Sequence, residues 1–138
     1  VHGDYSLTNV MIGKNDPNVI AILDWELSTL GDPCADFNYH CLQYIMNPKL
    51  ADKDYCRNQG IPVIDEYVKM YSEKINVDLT EEWDLYSAYN LFKLAGILQG
   101  ILGRVRDGTA AHENAAERAS GVRNLSDKAW DLVKKNFL

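Results

Sequence analysis

Apolar and polar positions change rhythm along this chain. Residues 9–13 (NVMIG) and 18–25 (NVIAILDW) are short runs rich in Val and Ile, separated by Lys14, Asn15, Asp16 and Pro17. β-Branched runs broken by Asn, Asp and Pro predict two antiparallel strands joined by a hairpin loop. A tight hairpin sets the start of its first strand beside the end of its second, so Asn9 and Asp24 are expected to be neighbours. From Asp32 onward the period lengthens. Asp32 as an N-cap and Pro33 as an early helical residue predict a helix over 33–46. The stretch 47–62, with Pro48, Gly60 and Pro62, predicts an irregular excursion with at most a short helical turn. Val63, Ile64, Tyr67, Val68, Tyr71 and Ile75 recur at spacings of three and four, which predicts a helix over 62–75. A further helix is expected over 80–107, with Thr80 as its cap, apolar enough to lie at the centre of the core. Along it Ala95, Gly96, Gly100 and Gly103 form a small-residue strip, expected to pack closely against a neighbouring helix. A last helical pattern, 110–137, carries a break near Gly121 or a new cap at Ser126, with His112 expected at the surface. The fold class is mainly α with a small β-hairpin.

Composition narrows the function classes. The 138 residues are 46% hydrophobic and 25% charged, enough for one ordinary core without a metal or disulfide staple. A formal charge of −6 argues against tracking a phosphate backbone, and no nucleic-acid partner is expected. The basic residues Arg104, Arg106, Lys134 and Lys135 read as solvated helix faces. Cys34, Cys41 and Cys56 show no C-x-x-C spacing, and for Cys34 and Cys41, seven residues apart, burial as small hydrophobes in a reducing compartment is the plain reading. No run of 18 apolar residues occurs and no signal-peptide pattern opens the chain. A cytoplasmic location without membrane contact is expected.

The chemistry is concentrated at the front, in VHGDYSLTNV and AILDWELSTLGDP. His2, Asp4, Asn9, Asp24 and Glu26 supply one imidazole and several oxygen ligands of carboxylate and amide type. Such oxygens suit Mg²⁺, which binds through one or two carboxylates and substrate phosphates. A remaining carboxylate can accept a proton from a hydroxyl nucleophile. Together these jobs describe phosphoryl transfer, although no glycine-rich phosphate loop is present to cradle a nucleotide.

Asp4 and Asn9 are five residues apart, the spacing of the kinase catalytic loop H-R-D-x-x-x-x-N. With HGD in place of H-R-D and DWE in place of D-F-G, the sequence resembles the aminoglycoside phosphotransferase and choline kinase superfamily. More narrowly, VHGDYSLTNVM…VIAILDWELSTLGDPCAD is similar to the phosphotransferase domains associated with acyl-CoA dehydrogenases. The likeness is dense over residues 1–37 and thinner beyond, with FKLAGILQG also similar. It implies the C-terminal lobe of a protein kinase-like fold, ATP as co-substrate and Mg²⁺ as cofactor. It also implies roles: Asp4 as catalytic base, Asn9 and Asp24 as Mg²⁺ and nucleotide-phosphate contacts, Glu26 as an additional metal contact. His2 and Asp36 would support the site, Asp36 by bonding the catalytic-loop backbone from the following helix.

On this resemblance residues 1–138 form the catalytic-loop and acceptor-binding lobe, and the N-terminal lobe that covers the nucleotide is absent. The expected activity is ATP- and Mg²⁺-dependent phosphorylation of a hydroxyl on a small molecule, a hydroxyacyl compound or its CoA thioester being the favoured acceptor. These residues alone are expected to be inactive, because positioning and water exclusion need the other lobe. The surface left by that lobe is expected to promote self-association. The alternative is a non-catalytic pseudokinase lobe or a docking module for an acyl-CoA dehydrogenase partner.

Overall fold

The computed structural model of the protein describes residues 1–110 and 114–138, so the expectation for His112 lies outside the described residues. The chain divides into two compact units, Val1–Leu79 and Thr80–Leu138. Among the described residues no helix is long and apolar enough to cross a membrane.

The first unit opens with a loop and a single 3₁₀ turn, Leu7–Asn9, followed by strands β1 (Val10–Ile12) and β2 (Val19–Ile22). These pair antiparallel, Val10 opposite Ile22 and Met11 opposite Ala21, with a register irregularity between Met11 and Ile12. The hairpin expected from the β-branched runs is therefore present, but its strands are shorter than 9–13 and 18–25. The second strand stops early because Asp24 takes left-handed backbone angles (φ 65°, ψ 56°) and Trp25–Leu27 turns into a second 3₁₀ segment. A residue in that conformation cannot continue a strand.

Helix α1 (Pro33–Cys41) starts as its sequence predicts: the Asp32 carboxylate accepts from the Cys34 N–H at 2.8 Å and Pro33 occupies the first turn. A break at Leu42 separates it from α2 (Gln43–Met46). The excursion after Met46 holds two short helices, α3 (Pro48–Ala51) and α4 (Lys53–Asn58), capped by the side chains of Asn47 and Asp52. Helix α5 (Ile64–Ile75) follows and ends on a left-handed Asn76. Cys34, Phe37, Cys41, Leu42, Cys56, Val63, Val68 and Leu79 are the buried apolar residues of this unit. All three cysteines are free and buried, and burial pushes the Cys41 thiol up to about 12.

The second unit is built on α6 (Trp83–Arg106), which packs against α8 (Val122–Phe137). Between them lie α7 (Ala115–Arg118) and a 3₁₀ turn, Ala119–Gly121, so the break falls at Gly121. Ser126 is not a cap: it sits inside α8 with its hydroxyl donating to the Val122 carbonyl. Nor does Thr80 occupy the cap of α6. Residues 80–82 form a turn, Glu82 is the N-cap, and its carboxylate accepts from the Tyr86 hydroxyl one helical turn on.

Two expectations for α6 are overturned. Only one face is buried, through Ser87, Ala88, Asn90, Leu91 and Ala95, while Leu85, Tyr89, Phe92 and Ile97 are exposed. The helical period accounts for this, since 88, 91 and 95 share a face that 85, 89 and 92 do not. The glycine strip is open as well: among the described residues, a Cβ at Gly96 or Gly103 would meet nothing within 4 Å, and one at Gly100 only the end of Arg104. The buried apolar residues described in this unit are mostly alanine (Ala88, Ala95, Ala115, Ala119, Ala129), with Leu91 and Leu125. Small side chains, rather than glycines, line its closest packing.

Candidate active site

The site is assembled within the first unit, from the opening loop, the end of β2 and one face of α1. Asp36, in the first turn of α1, holds the loop from beneath. Its Oδ2 accepts the His2 backbone N–H at 2.8 Å and its Oδ1 accepts the Gly3 N–H at 2.9 Å. A carboxylate receiving two N–H groups makes charge-assisted bonds of the stronger kind. Gly3 has φ +84°, and a Cβ there would stand 2.5 Å from the Leu27 carbonyl oxygen. Only glycine allows the loop to pass this close to the turn after β2.

His2 is buried, at 5% exposure, and ties three segments together. Its Nδ1 accepts the Asp4 N–H at 3.3 Å. Its Nε2 therefore carries the hydrogen and donates to the Leu23 carbonyl at 2.8 Å. The Trp25 ring lies against the imidazole, centroids 4.7 Å apart, and the indole N–H donates to the Ile22 carbonyl at 2.8 Å. The residues before and after Asp24 are thus both anchored on His2, which helps hold Asp24 in a backbone conformation that costs about 1–2 kcal/mol for a non-glycine residue.

Asn9 closes the loop on the other side. Its Nδ2 donates to the Asp4 carbonyl at 3.0 Å, and its carbonyl accepts the Leu23 N–H at 2.8 Å. Asn9 consequently stands opposite Leu23, one residue before Asp24. Asp4 is half-buried, while Asp24 and Glu26 are exposed, Glu26 on the 3₁₀ turn that follows β2. Burial and the Asp4 charge together raise the Tyr39 hydroxyl above its ordinary value, marking Tyr39 as a neighbour of Asp4.

The donor chemistry suits a hard divalent ion. With Nδ2 committed to the loop, the amide oxygen is the atom Asn9 could offer an ion, and the Asn9 backbone pairs with Leu23, one residue before Asp24. Among the described residues no group of three His, Cys, Asp or Glu side chains could hold a metal ion. An amide, a carboxylate and nucleotide phosphates are nonetheless the oxygen set that Mg²⁺ takes.

Sequence reasoning passed over Gly3, Tyr5, Trp25 and Tyr67. A glycine between His2 and Asp4, and an aromatic residue between Asp24 and Glu26, were the available signals for Gly3 and Trp25. A cavity of about 400 Å³ lined by Val1, Tyr5, Pro33, Asp36, Phe37, Tyr67 and Tyr71 lies on the Asp36 side of the loop. Asp4, Asn9 and Asp24 do not line it.

This loop geometry belongs to a class of phosphotransferases. Residues 1–89 match the phosphotransferase enzyme family, and the chain is a member of that family. Over its whole length it superimposes on a crystal structure of an inferred aminoglycoside phosphotransferase from Ralstonia eutropha JMP134, with a TM-score of 0.90 and 40% identity, covering 43% of that chain. Among curated proteins it is 36% identical over 140 residues to mouse acyl-CoA dehydrogenase family member 10, and 33% identical over 141 residues to human acyl-CoA dehydrogenase family member 11. Those alignments take in 98% and 99% of the chain but only 13% and 18% of the two relatives.

Proposed function

We propose that residues 1–138 form the catalytic-loop and acceptor-side lobe of a kinase that transfers the γ-phosphoryl group of ATP to a hydroxyl on a small molecule. The observation that carries this reading is the knot of hydrogen bonds from Asp36, His2 and Asn9 around Asp4. It leaves Asp4, a half-buried residue, fixed at its backbone on both sides and sets Asn9 beside the strand end that carries Asp24. In this reading Asp4 orients the acceptor hydroxyl and accepts its proton. Asn9 and Asp24 hold Mg²⁺ and through it the ATP phosphates, with Glu26 as a further contact. Bound there, the ion would neutralise charge on the phosphates. His2 and Asp36 keep the loop in register.

The likeness to acyl-CoA dehydrogenase family members supports a hydroxyacyl compound or its CoA thioester as acceptor, and a dehydrogenase as fusion or partner. These residues contain no glycine-rich loop to cover a nucleotide, so residues 1–138 by themselves are expected to transfer phosphate poorly. The test is an assay of the full-length gene product with γ-labelled ATP, Mg²⁺ and a panel of hydroxyacyl acceptors. Label should appear on the acceptor, require Mg²⁺, and vanish in Asp24→Ala. Absence of transfer together with absence of Mg²⁺-dependent ATP binding would overturn the reading.

One observation favours a second, non-catalytic reading. Met11, Ile12, Val19, Ile20, Leu23 and Leu27, on the hairpin and the turn after it, are each at least 44% exposed. Such a surface suits self-association or docking to a protein partner. Sedimentation of the full-length product, with and without Ile20→Lys, distinguishes an interface from a surface that stays solvated.

A further inference from the structure

Asp36 and His40 stand one helical turn apart on α1 and therefore share a face. Asp36 receives the N–H groups of residues 2 and 3. His40 meets the same loop two residues further on. Its ring is hydrogen-bonded to the Tyr5 backbone in the sense that favours protonation, which makes the Tyr5 carbonyl the acceptor. The other ring nitrogen, Nε2, lies 3.2 Å from the Tyr67 hydroxyl of α5. The aromatic rings close round it: Tyr5 sits edge-on to His40 with centroids 5.3 Å apart, and Tyr67 edge-on at 5.8 Å.

The polarity of the two contacts matches the backbone groups they serve. A carboxylate accepts the N–H groups before Asp4, and an imidazole N–H donates to the carbonyl after it. Since Nε2 faces the Tyr67 hydroxyl, the bond to Tyr5 falls to Nδ1; a neutral ring with its hydrogen there leaves Nε2 to accept the Tyr67 proton, so one tautomer satisfies both. Burial holds the ring below its ordinary value and favours that neutral form, against the opposing pull of the Tyr5 bond and the Asp36 charge. The titratable groups facing the ring are Asp36 on its own helix, Tyr5 on the loop and Tyr67 on α5.

We propose that His40 is a positioning residue that fixes the Tyr5–Ser6 peptide, one residue beyond Asp4, and that Tyr67 seats it, so that the aim of the Asp4 carboxylate is set from helix α5 as well as from α1. The part of this that concerns turnover rests on the kinase reading above; the part that concerns the loop does not.

The experiment compares His40→Leu, His40→Asn and His40→Gln in the full-length product. Leucine removes both bonds, Asn keeps a donor near the Nδ1 position, and Gln reaches only toward Nε2. Hydrogen exchange over residues 4–9 should quicken about tenfold in His40→Leu, the equivalent of one lost hydrogen bond. Exchange within α6 should stay unchanged. His40→Asn should return most of the protection and His40→Gln little. Where turnover is measured, kcat should fall with the same ordering while KM for ATP stays within about twofold. Equal exchange in wild type and His40→Leu overturns the proposal, as does an Asn variant no better protected than Gln. A wild-type protein without kinase activity defeats the kinase reading, and the exchange comparison still decides the role of His40. If His40→Leu does not fold, the Asn and Gln variants carry the comparison alone.

Discussion

Gly3 and Gly96 show how differently the two units of this chain use the same residue. At Gly3 the backbone is left-handed, and an added Cβ would stand 2.5 Å from the Leu27 carbonyl oxygen. At Gly96 the backbone is helical and an added Cβ would meet nothing within 4 Å among the described residues. The first unit is shaped by particular bonds between side chains and distant backbone, such as Asp36 to His2 and Gly3, His2 to Leu23, and Tyr44 to Pro62. The second is shaped by helix packing over alanines, in which the exact side chain on the outer face of α6 matters little. Substitutions should therefore be costly and specific in the first unit and mild in the second.

The sharpest test is Asp4→Asn. The amide keeps the size of the carboxylate and leaves the bonds to its backbone N–H and carbonyl in place, but it cannot accept a proton. In the full-length product kcat for phosphoryl transfer is expected to fall by roughly 10²–10⁴-fold, with ATP affinity by calorimetry nearly unchanged. A residual rate near wild type would remove Asp4 from the role of base and with it the main contrast between the units.

Next in size is Gly3→Ala. Its Cβ collides with backbone rather than with a flexible side-chain end, and φ +84° is strained for alanine in any case. A loss of about 2–3 kcal/mol is expected from the strain and the displaced loop, read as a drop in the urea midpoint. An unchanged midpoint would mean that the loop and the Leu27 turn separate without cost.

Much of the secondary structure was legible because its causes are local. β-Branched runs around Asn15–Pro17 gave the hairpin, spacings of three and four gave α5, and Asp32 with Pro33 marked the start of α1. The misreadings came where tertiary context decides. Hydrophobicity alone could not say which face of α6 is covered, nor that its glycines face open space. The early end of β2 depends on Asp24 turning left-handed, held in part by a histidine 22 positions earlier in the sequence. At the site, the nearness of Asn9 to Asp24 followed from hairpin geometry. The bridge from His40 to Tyr5 and Tyr67 was hidden, since it joins three segments that no sequence spacing relates.

Acidity should separate the units in a smaller way. Burial lowers the folded-state value of His40 below the ordinary 6.5. Between those two values the unfolded chain binds the proton and the folded chain does not, so stability is fully present above about pH 6.5 and declines as pH falls through the folded-state value. Urea midpoints of the first unit should therefore drop more between pH 7.5 and pH 5.5 in wild type than in His40→Asn. Equal drops would show that His40 is not the group that titrates.

The smallest effect has the opposite sign. Gly96→Ala replaces the residue that loses most freedom on entering a helix with the best helix former, at an exposed position of α6 where the new methyl meets nothing. The gain should be about 0.5–1 kcal/mol, seen as a higher thermal midpoint for the second unit and no change in phosphoryl transfer. Gly3→Ala and Gly96→Ala are then one chemical change with opposite outcomes, and the pair tests the comparison better than either alone. If Gly96→Ala were instead destabilising in the full-length product, a surface must cover that strip there, and α6 would be an interface rather than an outer face. Repeating the substitution at Gly103, where a Cβ also meets nothing, would then show how far along the helix the covering surface reaches.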